Sequence, residues 1–161
     1  MTTTALIVQY LDDLLDTESI PDFPNALNGL QLANAGQTHR IAAAVDFSLR
    51  TVTAAVDSKA DFLVVHHGMF WSGLKSIRGT AFTRLQALIT HDIAVYSSHL
   101  PLDRHALYGN NTLLATQLGL EPSSEFARFK DVSIGVAGES DIATMNLAAR
   151  ADAFARSHGG S

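Results

Sequence analysis

The stretch Asp61–Trp71, DFLVVHHGMFW, decides how this chain is read. Four apolar residues run straight into two adjacent histidines and then a glycine. A short apolar run of this kind reads as a buried strand, so His66 and His67 stand where that strand should end. Neighbours along a strand point to opposite faces, and two imidazoles kept in the pleat could not share a target. Gly68 lets the backbone leave strand geometry just there. Both rings can then diverge from the pleat and reach a site above the sheet edge.

The flanking sequence supplies the sheet. RIAAAVDFS reads as a buried strand ending at Asp46, and IAVYSSHLPLD as another that runs into a loop at Pro101. Between them, Ser48 can cap a helix over 49–59 with Leu49, Val52 and Val56 inward. Residues 80–91 form a second helix with Phe82, Leu85, Leu88 and Ile89 inward. Residues 4–16 are helical by the spacing of Leu6, Ile7, Tyr10, Leu11, Leu14 and Leu15. The proline- and glycine-rich segment that follows is loop with at most a short strand. A helix over 110–118 stops near Gly119. VSIGVAGES is a strand, and 141–156 a helix capped by Ser140 or Asp141. The alternation of strands and helices predicts a single α/β domain over 1–161, with a central mixed, largely parallel sheet and flanking helices.

Ligands of open α/β sheets bind at the carboxyl edge of the strands. Three strands end there in AVD, VVHH and YSSH, which delivers Asp46, His66, His67 and His99 to one edge. Asp103 follows His99 by four residues on a segment that Pro101 marks as loop rather than helix interior. Imidazoles and a carboxylate suit Zn, Fe, Mn, Co or Ni and suit Ca poorly. Burying two unpaired imidazoles after an apolar run is costly, which favours metal over a merely structural role. His39, His91, His105 and His158 have no such setting and read as surface or helix-end residues. Met69, Phe70 and Trp71 read as core or subunit packing, Glu139 and Asp141 as helix-start residues.

Composition narrows the function. With 161 residues the chain can bury a core. Net charge is −5 and no basic stripe is present, which argues against nucleic acid. No apolar run approaches the roughly 20 residues of a membrane helix. The start, MTTTALIVQYLDDLL, lacks the basic region of a signal peptide, so the expected location is the cytoplasm. The absence of cysteine excludes thiolate ligands. Charged residues make up 17 % against an average of about 25 %, which leans toward a homo-oligomer with apolar contacts.

Three segments carry a family likeness. NGLQ at 28–31, VVHHGMFW at 64–71 and HLPLDRHALYGNN at 99–111 resemble, in order and spacing, the amino-terminal signatures of the NIF-three-like dinuclear metal-binding proteins. These are also called GTP cyclohydrolase I type-two homologues. The resemblance runs from the first helix to about residue 120. It implies that His66, His67 and Asp103 are metal ligands and that His99 lies beside the metals as an acid/base. It also implies two divalent ions and a toroidal hexamer in the full-length form. Members run to roughly one and a half times this length, and a closing His-x-x-x-Glu motif supplies two further ligands. Here no histidine is followed by glutamate four places on. The chain therefore reads as the amino-terminal part of such a protein, expected to hold at most one metal tightly and to show negligible activity alone.

The function expected is a metal-dependent hydrolase of an unidentified small molecule, a nucleotide if the family name is a guide. The alternative is a non-catalytic metal-binding or regulatory assembly protein.

Overall fold

The computed structural model describes residues 2–160. They divide into two compact units, with the boundary between Pro101 and Leu102. The first unit begins with β1 (Thr2–Thr3) and α1 (Thr4–Leu15), followed by β2 (Gly29–Leu32), β3 (Gln37–Thr38) and β4 (Ile41–Asp46). It continues through α2 (Leu49–Asp57), β5 (Phe62–His67), α3 (Thr80–Thr90) and β6 (Ala94–Ser97). The short α4 (Leu100–Arg104) carries the chain into the second unit, which holds α5 (Asn110–Leu118), β7 (Glu121–Phe129), β8 (Val132–Glu139) and α6 (Thr144–Ser157).

The main sheet has the order β2-β6-β5-β4. β4, β5 and β6 run parallel, and β2 pairs antiparallel with β6. The mixed, largely parallel sheet expected from the alternation is therefore present. Its core cluster explains both crossover helices: Val52 and Ala55 of α2 and Leu88 of α3 pack with Leu63, Val65 and Val95 of the strands. Fully burying one such aliphatic side chain contributes about 1.5–3 kcal/mol. On the opposite face Phe62 stacks at 6.3 Å on Tyr96. The Tyr96 hydroxyl donates to Asp12 at 2.7 Å and so ties α1 to the sheet. Burial pushes the Tyr96 phenol above its ordinary pKa, and the Asp12 carboxylate adds to the shift.

Helix ends follow local chemistry. Thr3 and Ser48 cap α1 and α2 through their hydroxyls. Gly119 closes α5 in the left-handed region at φ 77°. In the second unit β7 and β8 form a hairpin, with α5 tied to it where Asn111 Nδ2 donates to the Ile134 carbonyl at 2.5 Å. Among the described residues no helix is long and apolar enough to cross a membrane.

Six expectations need correction. The run expected as a buried strand ending at Asp46 is β4, an edge strand whose residues alternate between exposed and partly buried. Pro101 lies in α4, not in a loop; within the first turn its missing N–H has no intrahelical partner to lose. β7 was not foreseen, because EPSSEFARF carries little apolar alternation and is held by pairing with β8. α6 begins at Thr144 without a side-chain cap, since Ser140 Oγ accepts from Ile142 N in a turn that precedes the helix. Leu49 is 40 % exposed, whereas Val52 and Val56 pack inward as expected, with Ala55 beside them. On α3, Phe82 and Ile89 are 52 % and 64 % exposed. The inward stripe runs instead through Ala81, Arg84, Leu85 and Leu88, a 3–4 spacing that includes an arginine.

Asp61 organises the start of β4 and β5. Its carboxylate accepts the backbone N–H groups of His39 (2.9 Å) and Arg40 (3.0 Å) and the His39 ring nitrogen at 3.0 Å. Burial pushes this carboxyl up, but those hydrogen bonds outweigh it and hold the pKa below 3.8. A depressed carboxyl stabilises the fold above its unfolded pKa and loses that contribution as pH falls through the folded value. Asp61→Ala should lower stability by about 1–3 kcal/mol near neutral pH, and the deficit should shrink as pH falls through the depressed carboxyl pKa. Urea denaturation of both proteins near neutral pH and in acid checks this; a deficit undiminished in acid would contradict the assignment.

Candidate metal centre

The opening histidines do converge. β5 ends at His67, and the rings of His66 and His67 lie 4.7 Å apart. His99, two residues beyond the end of β6, brings its ring 4.8 Å from His66 and 5.6 Å from His67. One ring nitrogen from each of His66, His67 and His99 falls within 4.8 Å of the others. Two parallel strands, β5 and β6, ending at one edge thus bring together residues more than thirty positions apart.

Each ring is oriented by an oxygen on its Nδ1. His66 Nδ1 lies 2.9 Å from the Ser98 carbonyl. His67 Nδ1 lies 2.7 Å from Asp46 Oδ1, its neighbour across β4 and β5. His99 Nδ1 lies 2.9 Å from Asp22 Oδ1. A carbonyl or an ionised carboxylate can only accept, so in each pair Nδ1 carries the proton and the ring's Nε2 is left as the lone-pair donor. An oxygen fixing the far nitrogen is the arrangement that orients metal-ligating imidazoles. A metal ion at about 2.0–2.1 Å from its nitrogens places any two of them no more than about 4.2 Å apart. The outer limit of 4.8 Å must therefore tighten by roughly half an ångström around one ion. The alternative is to divide the donors between two ions about 3.5–4 Å apart. The donor set fits a borderline transition-metal ion on either count.

Asp22 was missed by the sequence reading, although it is the most heavily bonded carboxylate here. Oδ1 accepts from His99 Nδ1 and from Phe23 N at 2.7 Å; Oδ2 accepts from Asn28 Nδ2 and Leu100 N, both at 2.8 Å. Its side chain is 6 % exposed. Burial pushes the Asp22 carboxyl up, but the four hydrogen bonds outweigh it and hold the pKa below its ordinary value. A signal was available: an aspartate framed by Pro21 and Pro24 in an otherwise weakly polar loop.

The NGLQ segment supports the same region. Asn28 bridges Asp22 and the His99 backbone, accepting from His99 N at 2.8 Å. Gln31 accepts from Met69 N at 2.6 Å and donates to the carbonyls of Ala26 and Leu27, both at 3.0 Å. That amide is why residue 68 is glycine: a Cβ there would meet Gln31 at 2.4 Å and Ser97 Oγ at 2.6 Å. The requirement is close approach, not the backbone freedom expected from the sequence.

Asp103 belongs to the second unit, where its Oδ1 accepts from Asn110 Nδ2 at 2.9 Å. His39 pairs with Asp61, and His158 stays at a helix end as expected. Met69, Phe70 and Trp71 line a cleft beside His67, with the Trp71 ring 4.4 Å from His99 and 4.9 Å from His67. Asp22→Asn puts an N–H donor where the carboxylate accepts. It should cost about 2–4 kcal/mol of stability and release the His99 tautomer. Denaturation and imidazole nitrogen NMR read the two effects; an unchanged His99 spectrum would show that Asp22 does not orient the ring.

The Duf34/NIF3 (NGG1p interacting factor 3) profile matches residues 2–158. A relative from Archaeoglobus fulgidus named GTP cyclohydrolase 1 type 2 homolog is 40 % identical over 140 residues, 87 % of this chain and 56 % of the relative. One of the same name from Treponema pallidum is 46 % identical over 114 residues, 70 % of this chain and 40 % of the relative. The chain thus spans about half the length of the curated relatives it matches. Among solved structures, TTHA1606 from Thermus thermophilus superposes with a TM-score of 0.86 at 32 % identity, covering 96 % of this chain and 62 % of that one. Reduced HcgD from Methanocaldococcus jannaschii shares the fold with a TM-score of 0.81 at 22 % identity, over 97 % of this chain and 61 % of that one. The family signatures in NGLQ, VVHHGMFW and HLPLDRHALYGNN, the strand-edge histidines and the profile spanning nearly every residue agree: the chain belongs to the Duf34/NIF3 family.

Proposed function

We propose that this chain supplies a divalent-metal centre to a hydrolase whose substrate is a small ring compound of the nucleotide type, as the relatives' name suggests. The observation that carries the reading is the set of three strand-edge imidazoles, each with Nδ1 committed to an oxygen acceptor. His66 and His67 are the metal ligands in this proposal, with Asp103 as the carboxylate ligand. The ion would be Zn, Fe, Mn, Co or Ni, in keeping with imidazole donors. When bound, it lowers the pKa of a coordinated water toward neutrality.

His99 is the acid/base. Asp22 holds its Nδ1–H and so leaves Nε2 as the nitrogen that can take a proton. Nε2 can return that proton to a leaving group. Burial of His99 to 8 % exposure limits competition from bulk water. Self-association is part of the proposal, since Leu74 and Ile77 of the loop after β5 are 93 % and 60 % exposed. Light scattering at micromolar concentration should then show more than one chain per particle, and a stable monomer would count against it.

Calorimetric titration with Zn or Mn should give a tight site that His66→Ala or His67→Ala weakens at least about tenfold. Asp103→Asn should weaken it too. His99→Ala should leave binding within a few-fold and lower whatever metal-dependent turnover of GTP this chain shows by about 100-fold or more, measured beside the longer Archaeoglobus fulgidus relative. Tight metal binding without turnover in either protein would replace this reading with a non-catalytic metal-binding one. Failure of both histidine variants to weaken the metal would remove the centre itself.

A further inference from the structure

A cleft of about 450 Å³ opens within the first unit, and His67 belongs both to its lining and to the histidine cluster. That volume lies in the range of roughly 300–1,000 Å³ typical of small-molecule sites. Its walls combine flat aromatic surface from Phe47 and Trp71 with the cationic side chains of Lys75 and Arg84. Asp46 is the only carboxylate in the lining, and its Oδ1 already receives His67 Nδ1.

The local charge runs against the molecule. The chain carries 16 acidic and 11 basic residues, yet two cations face one engaged carboxylate here. Among the described residues neither Lys75 nor Arg84 is ion-paired. Arg84 sits on the inward stripe of α3. Its guanidinium is fixed by a 2.7 Å hydrogen bond from Nη1 to the Phe47 carbonyl and by the Phe47 ring 4.8 Å beneath it. Holding a half-buried guanidinium without an anion is unfavourable for the free protein, and fixing it in advance lessens the ordering needed when an anion arrives. The Trp71 indole, 4.9 Å from His67 and 4.4 Å from His99, lines the same cleft beside the cluster.

We propose that this cleft seats a phosphorylated heteroaromatic compound. Its phosphate lies against Lys75 and Arg84, and its ring lies along Trp71 at the edge of the histidine cluster. The seat deepens the hydrolase reading, on which its catalytic meaning rests, but binding itself needs no metal.

Trp71 is the only tryptophan in the chain, so intrinsic fluorescence excited at the indole band reports this cleft. GTP, guanosine and inorganic triphosphate are titrated into the intact protein, first in EDTA and then with Zn. Saturable quenching by GTP is expected in both, with guanosine weaker by about tenfold or more. Lys75 is exposed, so Lys75→Ala should fold normally; it should weaken GTP by about five- to tenfold and leave guanosine unchanged. Competition of inorganic triphosphate with GTP would support the anion site. Three results would overturn the proposal: no saturable GTP signal in either condition, a signal that appears only with Zn, or GTP affinity unaltered in Lys75→Ala. Zn binding is measured separately on the same sample, so loss of the metal centre and loss of the ligand seat are told apart.

Discussion

The carboxylate of Asp22 is the constraint on which the candidate site depends. One side chain accepts four N–H groups, from the loop after α1, from Asn28, from His99 and from the start of α4. Without it, the segment between β6 and α4 would leave Leu100 N and His99 Nδ1 as buried donors with no acceptor, each a penalty of about 1–3 kcal/mol. The loop of residues 18–28 looks like a connection of no consequence. It is better understood as a clasp that closes over the end of β6 and presents an imidazole in one tautomer.

A second layer works the same way at each ring. The Ser98 carbonyl, the Asp46 carboxylate and the Asp22 carboxylate all take the Nδ1 side, so the three rings differ in surroundings but agree in which nitrogen they offer. The supports are not equally enclosed. Asp22 is nearly inaccessible, whereas the side chain of Asp46 is 69 % exposed. His67 is therefore the member of the group whose orientation water and solutes can contest, and it is also the member that faces the cleft.

Much of this was legible from residue order. Continuous apolar runs ending in Asp46, His67 and His99 mark parallel strands and their common edge, although only β5 and β6 are largely buried and β4 alternates between exposed and partly buried residues. What was hidden lies in contacts whose partners are far apart along the chain. Asp22 and His99 are 77 residues apart, Asn28 and His99 71, and no periodicity links them. Arg84 was hidden for a different reason: a search for apolar stripes passes over a cation and selects Phe82, which the fold leaves in solvent. β7 was hidden because a strand paired only with its hairpin neighbour needs no apolar face of its own.

β4 has a consequence for handling the molecule. It is the last strand of its sheet, with β5 on one side and, among the described residues, no strand on the other. Ile41 and Val45 are 53 % and 63 % exposed, and the run from Ile41 to Val45 contains no charge, proline or bulge. Natural edges are blunted by such devices against pairing with another chain, and here the charges closest in sequence are Arg40 and Asp46 at its two ends. Asp46 thus both anchors His67 and is one of the two charges that flank this edge. A variant that removes it to probe the metal centre also leaves this edge one charge fewer against pairing with another chain, so its solubility is to be read beside its metal binding.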